Sequence, residues 1–288
     1  LYGRDEKLQW LSDLLNSSTE SFKHVFISGY SGVGKTSLVN EAFKYFNTQR
    51  YYFLHGKYDQ FASNVPYSAI KEIIKEYMDY LFVEGETHKE IYTALIQNRL
   101  SQLGAVLVEF MPVFEELLGP QESVPVLTGI EAQNRFHHVV KQLLLTLVND
   151  THKIILFIDD LQWIDNASVF VLESLFEPNE FNNVVLIGAY RNNEVGPGHR
   201  LERFMHQLKE SEINLNSMVL NGLNDAEVLS WLEASSVQFK QLNFLTEVLL
   251  SKTNGNPFYL KQVMKHLSDM KCVDYDIIAK EWCFKESC

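Results

Sequence analysis

The sequence has few cysteines and no long apolar run. Its 3 cysteines, Cys272, Cys283 and Cys288, all lie near the C-terminus. They form no CxxC pair, so a zinc site is not predicted and free thiols are expected. No apolar run approaches the roughly 18 residues that a membrane-spanning helix needs, and the opening LYGRDEKLQW lacks the apolar core of a signal peptide. We therefore expect a cytoplasmic protein without membrane contact.

Positive charge is also scarce. The 288 residues include 25 Lys+Arg against 37 Asp+Glu, a formal charge of −12. An acidic surface repels phosphate backbones over long range, so nonspecific nucleic-acid binding is disfavoured. The hydrophobic fraction of 46% is ordinary for a globular protein, and the length allows one large domain or two smaller ones.

Short apolar runs alternate with longer helical patterns over most of the chain. The predicted strands are VFISG at 25–29, YYFLHG at 51–56, KIILFID at 153–159, VVLIGAY at 184–190 and LNSMVL at 215–220. Several are apolar at nearly every position, which is typical of parallel strands buried on both faces. The clearest helical stripe between them covers 135–148. The fold prediction is an α/β fold in which helices flank a parallel sheet.

The pattern becomes wholly helical after the last strand. Asn224 followed by Glu227 resembles a capping box that opens a helix through Leu232. Further helices are predicted over 240–251 and 257–268. The tail CVDYDIIAKEWCF predicts a small hairpin or an unfinished element.

These patterns divide the chain into three parts. An α/β core is predicted over 1–221, interrupted by a helical insertion at 60–130. A smaller, all-helical lid is predicted over 222–270, and the start of a further element over 271–288.

A glycine-rich loop joins the first strand to the next helix. Gly29, four residues on Gly34, then Lys35 and Thr36 satisfy the phosphate-loop pattern in the required strand–loop–helix context. Glycines let the backbone curl so that N–H groups face phosphate oxygens, and the helix start adds its positive dipole end. Lys35 is expected to reach the β- and γ-phosphates and Thr36 to ligate Mg²⁺. A glycine-rich turn with an incidental lysine is the less favoured alternative.

Two carboxylates end the third strand. In IILFIDDLQW, Asp159 is the candidate magnesium ligand, and Asp160 is the candidate for orienting or deprotonating water. The alternative is a pair of aspartates that only cap the strand. For Trp163 and Asp165, which follow, a packing or helix-capping role is favoured.

The strand VVLIGAY runs directly into Arg191. A guanidinium at the end of a neighbouring strand can contact the γ-phosphate and distinguish triphosphate from diphosphate.

Other catalytic motifs are absent from the sequence. His137 and His138, which are adjacent to each other, form no HExxH pattern, and no GxSxG elbow occurs. The guanine-reading tetrapeptide NKxD is also absent, which favours adenine as the base.

Seven motifs together resemble a known family. LYGRDEKLQWL, GYSGVGKTSLV, GKYDQFASNVPYSAI, QNRF, FIDDLQWID, GAYRNNEV and KTNGNPFYL occur in that order. As a set they resemble the AAA-type ATPase module of the signal-transduction ATPases with numerous domains. The subgroup they resemble most joins this module to protein kinase, sensor histidine kinase or nucleotide cyclase parts. The resemblance covers residues 1 to about 270 and implies ATP or ADP with Mg²⁺ as ligands.

The resemblance assigns two groups of residues to the nucleotide. The opening motif, which would lie beside the adenine, consists of Tyr2, Gly3 and Arg4. The Walker A loop, which would hold the phosphates, comprises Gly29, Gly32, Val33, Gly34, Lys35, Thr36 and Ser37.

The remaining matches lie further along the chain. Asp159 and Asp160 match the Walker B pair, and Arg191 is similar to the sensor arginine that follows the next strand. Pro257 is similar to the lid proline that touches the base or ribose. Judged without the family, Pro257 is predicted only to be the first residue of a helix.

The Walker B pair departs from the family pattern. Vigorous AAA-type hydrolases carry Asp-Glu there, whereas this chain has Asp159-Asp160. The shorter carboxylate is expected to lie further from an attacking water, so slow turnover is predicted. Arg135 in QNRF is the one candidate arginine finger, and the winged-helix and repeat-rich sensor regions of the wider family are missing.

The leading functional hypothesis is an ATP-operated switch. Lys35, Asp160 and Arg191 would carry slow hydrolysis, and the ATP or ADP state would act on a fused or bound effector of kinase, histidine kinase or cyclase type. Nucleotide-dependent oligomerisation is compatible with it. The alternatives are an initiator-like ATPase that loads onto DNA, a nucleotide-binding scaffold that does not hydrolyse, and a metabolic kinase.

Overall fold

The structure is a computed structural model of the whole chain. It describes residues 1–16, 23–44, 51–62, 65–147, 153–175, 184–210, 214–234, 242–270, 272–276 and 281–284. Within these ranges, no helix combines the length and apolar character needed to cross a bilayer.

One sheet of parallel strands organises the molecule. Its strands are β1 (Lys23–Ser28), β2 (Tyr51–Lys57), β3 (Lys153–Asp159), β4 (Val184–Tyr190) and β5 (Asn214–Val219). Their spatial order is β2-β3-β4-β1-β5, and every pairing is parallel. Carboxyl ends of parallel strands share one edge of the sheet. The loops after β1, β3 and β4 therefore emerge side by side.

Helices account for most of the remaining described residues. Those preceding β3 are α1 (Asp5–Asn16), α2 (Lys35–Lys44), α3 (Ser68–Glu84), α4 (Glu86–Leu100), α5 (Gly104–Phe110), α6 (Glu115–Leu118) and α7 (Gly129–Leu147). Those that follow β3 are α8 (Asn166–Leu175), α9 (Arg200–Glu210), α10 (Asp225–Glu233), α11 (Leu242–Thr253) and α12 (Pro257–Asp269). The predicted parallel sheet flanked by helices and followed by a smaller helical lid is confirmed.

Alternate side chains of each strand point to opposite faces of the sheet, so each face has its own hydrophobic core. On β3, Ile155 and Phe157 pack with α1 and α2, whereas Ile154, Leu156 and Ile158 pack on the opposite face. Successive side chains of a strand point to opposite faces, so an all-apolar strand feeds both cores. The second face also receives the helices between β2 and β3.

Several of those helices lie within residues 60–130, where the sequence predicts an insertion. α3 to α6 cover the region that the sequence indicated as helical without assigning its elements. The stripe predicted over 135–148 belongs to α7, which begins earlier, at Gly129. α3 packs along β2 and α4 packs against α7, so the insertion extends the core on one side of the sheet.

The lid has a small core of its own. Leu223, Val228, Leu232, Leu245 and Leu249 are buried together where α10, α11 and α12 meet. The predicted capping box is present, because Asn224 accepts from the backbone N–H of Glu227 and the Glu227 side chain accepts from that of Asn224. α11 and α12 agree with the predicted helices to within a few residues.

The C-terminal segment folds back on itself as a hairpin. β6 (Val273–Asp276) pairs antiparallel with β7 (Glu281–Phe284), as the tail sequence predicted. Cys272, just before β6, is disulfide-bonded, so the expectation of free thiols is wrong at this residue.

Candidate functional site

A cavity of about 580 Å³ lies between the carboxyl edge of the sheet and the lid. The predicted site residues that line it are Tyr2, Arg4, Gly32, Val33, Gly34, Lys35, Thr36, Ser37, Asp159, Asp160, Arg191 and Pro257. Gly3 and Gly29 lie beside this lining. Residues more than 200 positions apart in the sequence thus share one cavity.

The phosphate-type loop bends where glycine is required. Gly32 and Gly34 have φ angles of +79° and +99°, which residues with a Cβ rarely adopt. A Cβ on Gly32 would also lie 2.8 Å from the Cβ of Phe258 in the lid. The loop ends at Lys35, the first residue of α2. The helix start therefore points its free N–H groups into the cavity.

Lys35 lies under this loop. Its ammonium group donates to the carbonyl oxygens of Gly29 at 2.9 Å and Tyr30 at 3.1 Å. The residue is 7% exposed. Burial lowers the pKa of Lys35, and the Asp159 carboxylate opposes that shift. A cation removed from water beside phosphate-sized space is a strong attractor for phosphate oxygens.

Thr36 and Asp159 bring two oxygen ligands together. The Thr36 hydroxyl donates to Oδ2 of Asp159 at 2.6 Å, and Oδ1 of Asp159 accepts from the backbone N–H of Asp160 at 2.9 Å. Hydroxyl and carboxylate oxygens are the ligands that Mg²⁺ takes, usually one or two from protein with the rest from phosphate and water. Among the described residues no cluster of three or more metal-binding side chains occurs. The donor set fits Mg²⁺.

Asp160 is held by an unusual backbone and by two cations. Its φ of +54° places it in the left-handed region, an uncommon conformation for a residue other than glycine. Its Oδ2 lies 3.2 Å from the Lys57 ammonium, and its Oδ1 lies 3.5 Å from Nε of Arg191. Gln162 Nε2 donates to the same Oδ1 at 2.8 Å. The carboxylate therefore has a defined position at the floor of the cavity.

Sequence analysis missed Lys57 and Gln162. Lys57 ends β2 and is paired in register with Asp159, so its place beside the carboxylates depends on the β2–β3 pairing. The one signal available was a charged residue at the end of an otherwise apolar strand. Gln162 lies within the motif FIDDLQWID, two residues after Asp160, and that motif was the available signal.

Arg191 is oriented from three sides. Its guanidinium pairs with Glu194 at 2.8 Å and lies 4.5 Å from the ring centre of Trp163. Its backbone N–H donates to Oε1 of Gln162 at 3.0 Å. Trp163, for which a packing role was predicted, thus packs directly under the guanidinium.

The opening motif braces the loop from below. The Arg4 guanidinium donates to the carbonyl oxygens of Val33 at 3.3 Å and Asn221 at 2.6 Å. Burial lowers the pKa of Arg4, and Glu227 opposes the shift. A Cβ on Gly3 would come within 2.6 Å of the Glu227 side chain, so the motif touches the lid as well.

The lid contacts the loop through the start of α12. The Asn256 side chain donates to the carbonyl oxygen of Ser31 at 2.7 Å, and the Phe258 backbone N–H donates to that of Gly32 at 3.3 Å. Asn256 caps the helix and Pro257 is its first residue, as predicted for Pro257 from the residues alone. Lid residues that sequence analysis missed also line the cavity, namely Leu223, Trp231, Phe258, Leu260 and Lys261.

Two further predicted residues lie away from the cavity. The Arg135 guanidinium donates to the carbonyl oxygen of Pro125 at 2.6 Å, within the insertion side of the molecule. Asp165 caps α8, since its Oδ1 accepts from the Ser168 N–H at 2.9 Å, which confirms the helix-capping interpretation. Its Oδ2 also accepts from the Tyr67 N–H at 3.2 Å and so joins the loop after β3 to the start of α3.

A solved structure shares the fold of this chain. Cdc6p from Pyrobaculum aerophilum is 12% identical with a TM-score of 0.50, an alignment that covers 93% of this chain and 63% of that one. The Orc1 protein of Aeropyrum pernix, solved in complex with DNA, is 13% identical with a TM-score of 0.47, covering 94% of this chain and 60% of that one.

Sequence comparison adds a relative and a family. The chain is 26% identical to hybrid signal transduction histidine kinase G of Dictyostelium discoideum, over 99% of this chain and 10% of that protein. It therefore spans about a tenth of that relative's length. The AAA ATPase domain model matches residues 1–187, which is most of the chain. The chain belongs to the AAA ATPase domain family.

Proposed function

We propose that this chain is an ATP-dependent switch that hydrolyses ATP slowly. The observation that carries the proposal is the Thr36–Asp159 pair, at 2.6 Å, beside a buried Lys35 in a cavity closed by the lid. The core of such a site binds a nucleoside triphosphate with Mg²⁺. The lid responds to whether the bound nucleotide is a triphosphate or a diphosphate. Tyr2, Leu223, Trp231 and Pro257 offer aromatic and apolar surface for a base.

The core residues divide the work on the phosphates. Lys35 and the N–H groups at the start of α2 hold the β- and γ-phosphate oxygens, and Ser37 lies next to them along the helix. Thr36 and Asp159 would hold Mg²⁺, which when bound neutralises charge on the phosphate oxygens. Arg191 distinguishes ATP from ADP by contacting the γ-phosphate.

The surroundings of Asp160 support slow turnover. Its carboxylate must orient or deprotonate a water for in-line attack on the γ-phosphate. Both of its oxygens are engaged by Lys57, Arg191 and Gln162. These groups fix a carboxylate that is shorter than the glutamate of vigorous AAA-type hydrolases, so it is expected to lie further from an attacking water and turnover is expected to be slow.

The lid is proposed to transmit the nucleotide state. We assign the core to 1–221 with its insertion at 60–130, the lid to 222–270 and a further element to 271–288. Contacts of the lid to the phosphate loop through Asn256 change when that loop binds phosphate. The histidine kinase relative supports an effector of kinase, histidine kinase or cyclase type, fused or bound.

Single-turnover hydrolysis tests the enzymatic part. Asp160→Asn, which keeps the size of the side chain, is expected to bind ATP within about 3-fold of the wild type and to lower hydrolysis by about 100-fold or more. Equal rates in the two proteins would contradict the role of Asp160. A wild type that binds ATP and never hydrolyses it would favour the scaffold alternative.

Protection of the lid tests the switch. Hydrogen exchange in α10 to α12 is expected to differ between the ATP-bound and ADP-bound protein, while β1 and β4 exchange alike in both. Identical lid exchange would contradict a nucleotide-operated switch.

The DNA-loading alternative has its own test. The charge of −12 disfavours it, and we propose no nucleic-acid partner. Titration of the ATP-bound protein with duplex DNA at low and physiological salt is expected to show no binding that falls with salt. Salt-dependent binding in the micromolar range would favour the initiator-like function instead.

A further inference from the structure

The side chain of Gln162 connects two groups of the proposed active site. Its Nε2 donates to Oδ1 of Asp160 at 2.8 Å, and its Oε1 accepts from the backbone N–H of Arg191 at 3.0 Å. The residue is 5% exposed. One amide therefore bridges the carboxyl ends of the adjacent strands β3 and β4.

Both bonds use the amide in a single orientation. Rotating the amide by half a turn would place its oxygen against the Asp160 carboxylate and its N–H₂ group against the Arg191 N–H. Both contacts would then be repulsive, and the Arg191 N–H would lose this acceptor. The position thus requires a side-chain amide, because it needs a donor for Asp160 and an acceptor for the Arg191 N–H at the same time.

The bridge lies beside the bonds that the cations make. Nε of Arg191 lies 3.5 Å from the same Asp160 oxygen, a distance longer than a good charge-assisted hydrogen bond. The Gln162 bond to that oxygen, at 2.8 Å, is the shorter one. The Arg191 main chain is in turn anchored by Gln162, so a shift of either partner reaches the other through this amide.

We propose that Gln162 is a positioning residue that couples the water-activating carboxylate Asp160 to the phosphate-sensing Arg191. The inference rests on the proposed function and deepens it. It predicts that the two tasks can be separated, because each depends on a different end of the amide. The donor end supports turnover, and the acceptor end supports the preference for ATP over ADP.

Two substitutions separate these ends. Gln162→Glu keeps an acceptor for the Arg191 N–H and replaces the donor with a second carboxylate beside Asp160. Gln162→Met keeps the length of the side chain and removes both bonds. Gln60→Glu is the control for added negative charge, because Gln60 is exposed and borders the same shallow cavity as Gln162.

The experiment measures single-turnover hydrolysis and the affinities for ATP and ADP by calorimetry, with thermal melting to verify folding. Gln162→Glu is expected to hydrolyse about 10- to 100-fold more slowly, with its ratio of ATP to ADP affinity within about 3-fold of the wild type. Gln162→Met is expected to lose turnover similarly and to lower that ratio at least about 5-fold. Gln60→Glu is expected to match the wild type in both.

Other outcomes would overturn the inference. They are a ratio unchanged in Gln162→Met, turnover unchanged in Gln162→Glu, or an equal loss in Gln60→Glu. If Gln162→Glu does not fold, the uncharged Gln162→Met decides by its affinity ratio. If the wild type binds ATP without hydrolysing it, the proposed turnover fails, while the ratio in Gln162→Met still tests the coupling.

Discussion

The two sides of the cavity are built differently. On the core side, Lys35, Asp159 and Asp160 are each less than 10% exposed and each has several polar partners. On the lid side, Phe258 is 53% exposed, and the loop is reached through a backbone N–H and the Asn256 side chain. Few buried contacts mean a low free energy of local opening. The side chains on the core side are therefore fixed before any ligand binds, whereas the lid is the side whose position is expected to change at least cost.

The largest effect is expected on the core side. Lys35→Ala removes the buried ammonium group that is proposed to hold the phosphates, and charge-assisted bonds to two phosphates are worth about 3 to 4 kcal/mol together. ATP affinity measured by calorimetry is expected to fall more than about 100-fold. Lys44→Ala, at the exposed end of the same helix, is the control and should leave affinity unchanged. A similar loss in both variants would mean that general charge, not the site, binds ATP.

The next effect is a destabilisation of the lid that leaves the stability of the core unchanged. Gly255 has a φ of +70°, and a Cβ there would lie 1.9 Å from the Leu223 carbonyl oxygen. Gly255→Ala is expected to destabilise the lid by about 3 kcal/mol. Hydrogen exchange should accelerate in α10 to α12 and not in β1. Gly196→Ala, where a Cβ meets open space, is the control. Equal acceleration in β1 would show that core and lid unfold as one unit.

A pH-dependent effect on the free energy of unfolding is expected from a residue of the core alone. His24 on β1 is buried, and its Nδ1 accepts from the Leu186 N–H of β4 at 3.1 Å. Burial lowers the pKa of His24 to about 4 from 6.5 in the unfolded chain. The folded state thus favours the neutral ring, so stability is complete above pH 6.5 and falls as pH drops toward 4. Between pH 7 and 5 the free energy of unfolding should decrease by about 2 kcal/mol from this group.

His24→Asn provides the matched control, since the Asn oxygen can accept the same bond and does not titrate. Denaturant unfolding of both proteins at pH 7 and 5 gives the difference. The prediction fails if the two proteins lose the same stability between these pH values.

The smallest effect is expected at Asn256, where the lid contacts the phosphate loop. Asn256 caps α12 and also donates to Ser31, whereas Asn224 caps α10 within the lid. Replacing either by Ala should destabilise the lid by about 1 kcal/mol. Only Asn256→Ala is expected also to weaken ATP binding, by about 3- to 5-fold in calorimetry. An equal loss of affinity in Asn224→Ala would show that lid stability alone, not the bond to the loop, supports binding.

Much of the site could be predicted because its signals are local. The loop from Gly29 to Ser37 and the pair Asp159-Asp160 each carry their chemistry within a few residues, next to strands that their apolar runs identify. The capping box at Asn224 was equally local. The strand order that brings these segments to one edge was not predicted, since pairing is decided by packing between distant residues.

The missed residues depend on that packing. Lys57 meets Asp160 only because β2 lies beside β3. The contact of the predicted residue Arg4 with Asn221, across most of the chain, was likewise not foreseen. Trp231 joins the cavity because α10 folds over the loop. The disulfide at Cys272 likewise joins it to a residue that the neighbouring sequence does not indicate. Apart from the charged residue at the end of β2, these contacts leave no pattern in the neighbouring sequence.

The position of Arg4 matters to anyone who wishes to transplant the ATPase domain into another protein. A fragment cut at β1 would still carry the whole phosphate-loop motif, and a motif search would judge it complete. It would lack the guanidinium that ties the carbonyl of Val33 to that of Asn221, just before the lid. The phosphate loop and the segment that leads into the lid would then lose the side chain that hydrogen-bonds to both of them. The excision point therefore belongs upstream of Arg4.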